Sequence, residues 1–146
     1  MKQKSPSNFA IRQFVPNDTN RVIFIWEQCD LVRNWNNPNF DIQRKLNFQK
    51  ELFFVGLLND EIIATAMFGY DGHRGWLNYF AVLPNFQKRG FGKQLMTFGE
   101  LALIEKGCPK LNLQIRNDNT KAINFYQKVG YKEDAAVSFG KRLIED

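Results

Sequence analysis

Seven consecutive residues carry the clearest chemical pattern in this chain: Gln87, Lys88, Arg89, Gly90, Phe91, Gly92 and Lys93. They follow an apolar strand-like run from Trp76 to Val82 and a turn at Pro84, and they lead into a helical segment that starts near Lys93. Glycines let a backbone approach an anion closely, and the first N–H groups of a helix are free to donate. The helix dipole adds roughly 0.3–1 kcal/mol of attraction for negative charge. Basic side chains beside such a turn suit a pyrophosphate. Two other phosphate loops do not fit. A dinucleotide fingerprint needs a third glycine where Leu95 stands, and it needs its glycines directly after the strand. A Walker A loop needs Ser or Thr where Gln94 stands.

A second pattern lies downstream. The alternating run Leu111 to Arg116 leads into a segment from Asn117 to Tyr131 with Asn119, Ala122, Phe125, Tyr126, Gly130 and Tyr131 at fixed offsets. Together the Gln-x-x-Gly-x-Gly loop and this Asn-x-x-Ala-x-x-Phe-Tyr-x-x-x-Gly-Tyr segment resemble the two signatures of the GNAT superfamily of N-acetyltransferases. The resemblance covers about residues 9–143 and is strongest over 76–131. It implies transfer of acetyl from acetyl-coenzyme A directly to a primary amine. It also implies a coenzyme site built from Ala81 and Val82 at the strand end, the loop Gln87 to Lys93, Asn119 and Tyr126. No metal is implied. An acyl-coenzyme A-binding module without catalysis is the alternative on the same fold.

Such a reaction has two proton problems. An amine of pKa about 10.4 must lose a proton, at a cost of roughly 4–5 kcal/mol at pH 7. The leaving thiolate must gain a proton or a hydrogen bond. Tyr126 matches the family tyrosine that faces the coenzyme sulfur and is the expected general acid. Asn119 matches an asparagine that contacts the pantetheine arm, although an N-cap at this helix start is an equally good use of it. Many relatives carry a glutamate on the strand before the second signature; Gln114 occupies the nearest position here and takes no proton. Asp71, in the turn Asp71-Gly72-His73-Arg74-Gly75, is expected to handle the acceptor ammonium, with His73 beside it. Asp30, Arg33 and Trp35, in the Cys29–Pro38 stretch, are expected to bind the acceptor. The acceptor itself is left open between a small molecule, a protein amino terminus and a lysine.

The elements that must position these groups follow from spacing. Phe9–Phe14 alternates as a strand. Val22, Ile25, Trp26 and Cys29 recur at helical intervals within 18–30, and a second helix starts at Pro38. Leu52–Leu58 and Glu61–Tyr70 form a hairpin around Asn59-Asp60. The strand at Trp76, a long helix ending at Gly107, a strand over 111–116, a helix over 120–129 and a final strand over 137–143 complete the chain. The order is an α/β fold with a mostly antiparallel first half. It is also the GNAT order, in which a mixed, mostly antiparallel sheet is flanked by helices and splays between its central strands.

At 146 residues, with 44% hydrophobic and 24% charged residues, the chain is expected to be a single domain over 9–146 behind a disordered arm at 1–8. The arm has no apolar stretch of the signal-peptide kind, which predicts a cytoplasmic protein without a membrane partner. The net charge of +5 is spread among acids, with no block of five basic residues, so a polyphosphate ligand rather than nucleic acid is the expected partner. Cys29 and Cys108 are too far apart in sequence for a zinc or redox pattern. A monomer or a homodimer is expected.

Overall fold

The computed structural model describes residues 8–146, and residues 1–7 of the expected arm at 1–8 lie outside it. Asn8, placed in that arm by the sequence, is instead tied to the hairpin turn: its amide donates to Asn59 Oδ1 at 2.7 Å. The elements are β1 (Phe9–Gln13), α1 (Thr19–Gln28), α2 (Pro38–Leu46), β2 (Phe53–Leu58), β3 (Glu61–Tyr70), β4 (Gly75–Val82), α3 (Phe91–Glu105), β5 (Leu111–Leu113) and α4 (Thr120–Lys128). They form a five-stranded sheet in sequential order, β1 to β5. All neighbours are antiparallel except β4 and β5.

Burial explains the central hairpin. β3 carries a continuous buried run from Ile62 to Phe68, as expected of a strand covered on both faces. The core gathers Val22, Ile25 and Trp26 of α1, Phe53 and Val55 of β2, and Leu95, Met96 and Leu103 of α3. α3 meets β3 at Gly99, where an added Cβ would lie 2.0 Å from the Phe68 ring. The apolar side of α3 therefore runs through Leu95, Gly99 and Leu103. Phe98, Leu101 and Ile104, which its composition also offers to the core, are exposed.

Two departures from the sequence reading shape the site. First, the strand expected over 111–116 ends at Leu113, after pairing Gly75–Leu111, Trp76–Asn112 and Leu77–Leu113. β4 continues to Val82 beyond its last parallel partner, and the sheet opens there. Second, the strand expected over 137–143 does not form. The segment has the alternation of a strand but pairs with none, leaving Val137, Phe139 and Leu143 exposed. It runs instead back over the α1–α2 side. Gln114 Nε2 donates to Ser138 Oγ, Arg142 reaches Asn36 Oδ1 at 2.8 Å, and Asp146 pairs with Arg44 at 2.7 Å.

Candidate active site

The loop into α3 folds as an anion cradle. Lys88 (φ 61°) and Gly90 (φ 90°) both take left-handed backbone. The first α3 amide with a backbone acceptor is Gln94, bonded to Gly90 O at 3.1 Å. The amides of residues 88–93 have no hydrogen-bond acceptor among the described residues. Successive free amides ending in a helix N-terminus form a concave site for phosphate oxygens. Gln87 Nε2 donates to Val82 O at 2.8 Å and ties this loop to the end of β4. The Arg89 guanidinium lies over the Phe86 and Phe91 rings, 5.6 and 5.2 Å from their centroids, and remains solvent-accessible. Gly92 serves packing: a Cβ there would come within 3.2 Å of Phe125 and 3.4 Å of Phe80.

The opening between β4 and β5 is floored by aromatic rings. Phe80 of β4 stacks on Phe125 at 5.5 Å and tilts against Tyr126 at 6.0 Å. Both belong to α4, which is started by Asn119: its Oδ1 accepts from the Ala122 amide at 3.1 Å. That is an N-cap, the second of the two uses the sequence leaves open for Asn119. The Tyr126 hydroxyl has no hydrogen-bond partner among the described residues, and burial pushes its pKa up. At neutral pH it is therefore a protonated donor with a free hydrogen.

A bulge in β4 turns its backbone toward this opening. The pairing steps from Thr65–Ala81 to Met67–Asn78, so Tyr79 and Phe80 face the single residue between. Tyr79 holds φ 53°, a conformation that an aromatic residue adopts only under constraint. Three contacts supply the constraint. Thr65 Oγ1 donates to Tyr79 O and accepts from Trp26 Nε1, each at 2.9 Å, and Trp26 stacks on the Tyr79 ring at 3.7 Å. The Tyr79 hydroxyl donates to Asp41 Oδ2 at 2.6 Å. Burial, with the Asp41 charge beside it, pushes the Tyr79 pKa up.

Next to Tyr79 is a cavity of about 520 Å³ between α2, β3 and β4. Its wall includes Asp41, Lys45, Tyr70, Asp71, Trp76 and Tyr79. Asp71 is thus placed at the cavity. Its Oδ1 also accepts the amides of His73 and Arg74, both at 2.8 Å, which hold its carboxyl below the usual range. His73 itself is exposed in the turn and is not part of the wall. Of the Cys29–Pro38 stretch, Asn36 lines the cavity, whereas Asp30, Arg33 and Trp35 do not. Asp30 pairs with Arg33 at 3.3 Å, and Trp35 lies under the Arg116 guanidinium at 5.7 Å. Asp41, Lys45 and Tyr79 escaped the sequence reading. The signal for Lys45 was a cation three residues after Ile42, within the apolar stripe of α2. No group of three or more His, Cys, Asp or Glu residues suited to a metal occurs among the described residues. No helix among them is long and apolar enough to cross a membrane. Cys29 and Cys108 are both free and half-buried.

An open mixed sheet, an amide cradle at a helix start and an aromatic-floored split between parallel strands define an acyltransferase of the GNAT type. The family model described as "Acetyltransferase (GNAT) family" matches residues 20–131, and the chain belongs to that family. An acetyltransferase of Yersinia pestis (strain Pestoides F) is 47% identical over 136 residues, covering 93% of this chain and 96% of that one. Among solved structures, Ard1 from Thermoplasma volcanium superposes with a TM-score of 0.78 at 23% identity, over 87% of this chain and 84% of its own. AAC(6')-Iy, in complex with a bisubstrate analog of coenzyme A and acetylneamine, superposes with a TM-score of 0.78 at 20% identity, over 94% and 100%. These two likenesses establish the fold, and the family match establishes an acetyltransferase.

Proposed function

We propose that this acetyltransferase moves an acetyl group from acetyl-coenzyme A to a primary amine by direct transfer. The observation that carries the reading is the run of unbonded amides over 88–93, set at the mouth of the β4–β5 opening. The fit to a pyrophosphate is good: free N–H groups, left-handed backbone at Lys88 and Gly90, and exposed cations on both sides. Bound there, acetyl-coenzyme A would supply an activated acyl group and a thiol leaving group. Ala81, Val82, Gln87 and Asn119 border the path between cradle and opening in this reading.

The chain's own groups would then do the rest. The amine nitrogen bonds to the acyl carbon, the carbon–sulfur bond breaks, and Tyr126 gives the sulfur its proton. β4 beyond Leu77 has no partner on the β5 side, so its edge amides are available for the developing oxyanion. Asp71, with its carboxyl stabilised as the anion by two amides, is suited to draw an ammonium toward the cavity wall it shares with Asp41 and poorly suited to take its proton. Proton removal is assigned to water entering the open cavity.

A thiol-release assay over a panel of amines tests the reading. Acetyl-coenzyme A should be consumed in an amine-dependent way, and Arg89→Glu should weaken coenzyme A binding tenfold or more by calorimetry without lowering the melting temperature. Release that no amine accelerates would overturn it.

A further inference from the structure

We propose that the acceptor is a small amino-acid-like zwitterion, with its carboxylate held by Lys45 and its ammonium by Asp41 in the α2–β3–β4 cavity. The inference rests on the acetyl-transfer reading and adds what the amine must carry besides its nitrogen.

Lys45 is the observation that carries it. The residue is 8% exposed, and it lines the cavity. Buried ammonium groups are normally paired with a carboxylate, because an uncompensated charge away from water is costly. Lys45 has no such pair among the described residues. Its Nζ donates to the backbone carbonyl of Phe68, a neutral acceptor, and faces the Phe48 ring at 5.9 Å. Glu51, six residues on, is bonded to Lys106 at 2.8 Å and acts on Lys45 by charge without pairing with it. The neighbouring Arg44 is already shared by Asp41 and Asp146, at 3.2 and 2.7 Å. An ammonium has three donors, and one is used. Burial pushes the Lys45 pKa down to about 8, and the charge of Glu51 offsets that only in part.

The surroundings supply Lys45 with neutral groups and no ion pair among the described residues. Gly69 stands opposite, where a Cβ would come within 3.3 Å of Lys45 Nζ. Gln49 Oε1 lies beside the same position, 3.6 Å from that Cβ, and its side chain is already bonded to both the N–H and the carbonyl of Tyr70, each at 2.8 Å. Asp41 is four residues before Lys45 on α2, so the two side chains share one face about one helical turn apart. Asp41 Oδ2 is oriented by the Tyr79 hydroxyl, which joins it to the bulge at the opening. A ligand spanning this pair would place its amine toward β4 and its carboxylate away from it. An amine without an anion would leave Lys45 uncompensated, which makes the cavity selective by what it lacks.

The test compares glycine, β-alanine and 4-aminobutyrate with their carboxamides, which keep the shape and remove the charge. For at least one pair, kcat/KM for the carboxylate should exceed that for the amide tenfold or more. Lys45→Met should abolish the preference by raising KM for the carboxylate alone, and Lys45→Arg should retain part of it. Equal kcat/KM within twofold for all three pairs in the native enzyme would overturn the proposal, as would a preference that survives Lys45→Met. If no amine releases thiol, acetyl transfer itself fails. The cavity is then judged by binding alone, read by calorimetry with coenzyme A present. Preferential binding of a carboxylate over its amide supports the anion site, and equal or absent binding overturns it.

Discussion

Burial acts on both Tyr126 and Lys45, the groups assigned to opposite ends of the proposed reaction. Burial keeps the Tyr126 hydroxyl protonated, which a donor to a departing thiolate requires. Tyr126→Phe keeps the ring against Phe80 and deletes only the hydroxyl, so turnover should fall about 10²-fold while coenzyme affinity holds. Turnover equal to the native enzyme would show that water protonates the sulfur. At Lys45 burial disfavours the charge, and the sign of its effect on folding follows. The unfolded lysine titrates near 10.4 and the folded one near 8, so between these values the unfolded chain binds more protons and stability rises with pH. Below pH 8 the buried charge costs on the order of 2–3 kcal/mol. Lys45→Met should therefore be more stable than the native protein at pH 7, with the difference shrinking as pH rises through 8 to 10. Urea unfolding of both proteins across that range measures it, and a pH-independent difference would refute the assignment.

At the scale of elements, the bulge in β4 links the core to the site. Trp26 and Thr65 are fully buried, yet together they hold the carbonyl of Tyr79 in its strained setting. Thr65→Val keeps the shape and removes both hydrogen bonds, leaving the Trp26 N–H unsatisfied at a cost of about 1–3 kcal/mol. Both the urea midpoint and kcat should fall, although Thr65 touches no substrate; a loss of stability with kcat unchanged would separate the bulge from catalysis. The bulge was not legible in sequence, because Trp76 to Val82 reads as an unbroken strand and only pairing with β3 shows the extra residue. What local chemistry dictates was legible: the hairpin of β2 and β3, the helix starts at Pro38 and near Lys93, and the cradle glycine Gly90. The final strand was misread for the reverse reason. Alternation from Val137 to Leu143 is a local property, whereas a strand needs a neighbour with free edge groups. The cavity was half legible. Asp71 could be found from its unusual turn, but Asp41 and Lys45 belong together only because α2 packs across β3 and β4.

On the scale of the whole molecule, the two sides of the opening are unequally secured. The first side holds nearly all the fully buried residues, whereas every residue from Leu111 onward is half-buried or exposed. The second side is attached through the three β4–β5 pairs, the ring cluster around Phe80, the Tyr131 hydroxyl on Glu100 at 2.6 Å and the exposed C-terminal contacts of Arg142 with Asn36 and Asp146 with Arg44. Few buried contacts mean a low free energy of local opening. Amides of β5 and α4 should exchange with deuterium well before those of β2 and β3, and coenzyme A should slow them selectively. Uniform protection across the sheet would contradict this.

The short β4–β5 seam also has a consequence in time. Tyr126, the proposed proton donor, is carried by the less secure side, so it is in register only while that side is closed. A ligand that bridges the α3 cradle and α4 lengthens the closed interval, whereas one confined to the α2 cavity does not. Productive encounters should therefore be ordered, coenzyme before amine. An excess of amine should then neither speed nor block the first step, a pattern that initial-rate kinetics with both substrates varied would reveal.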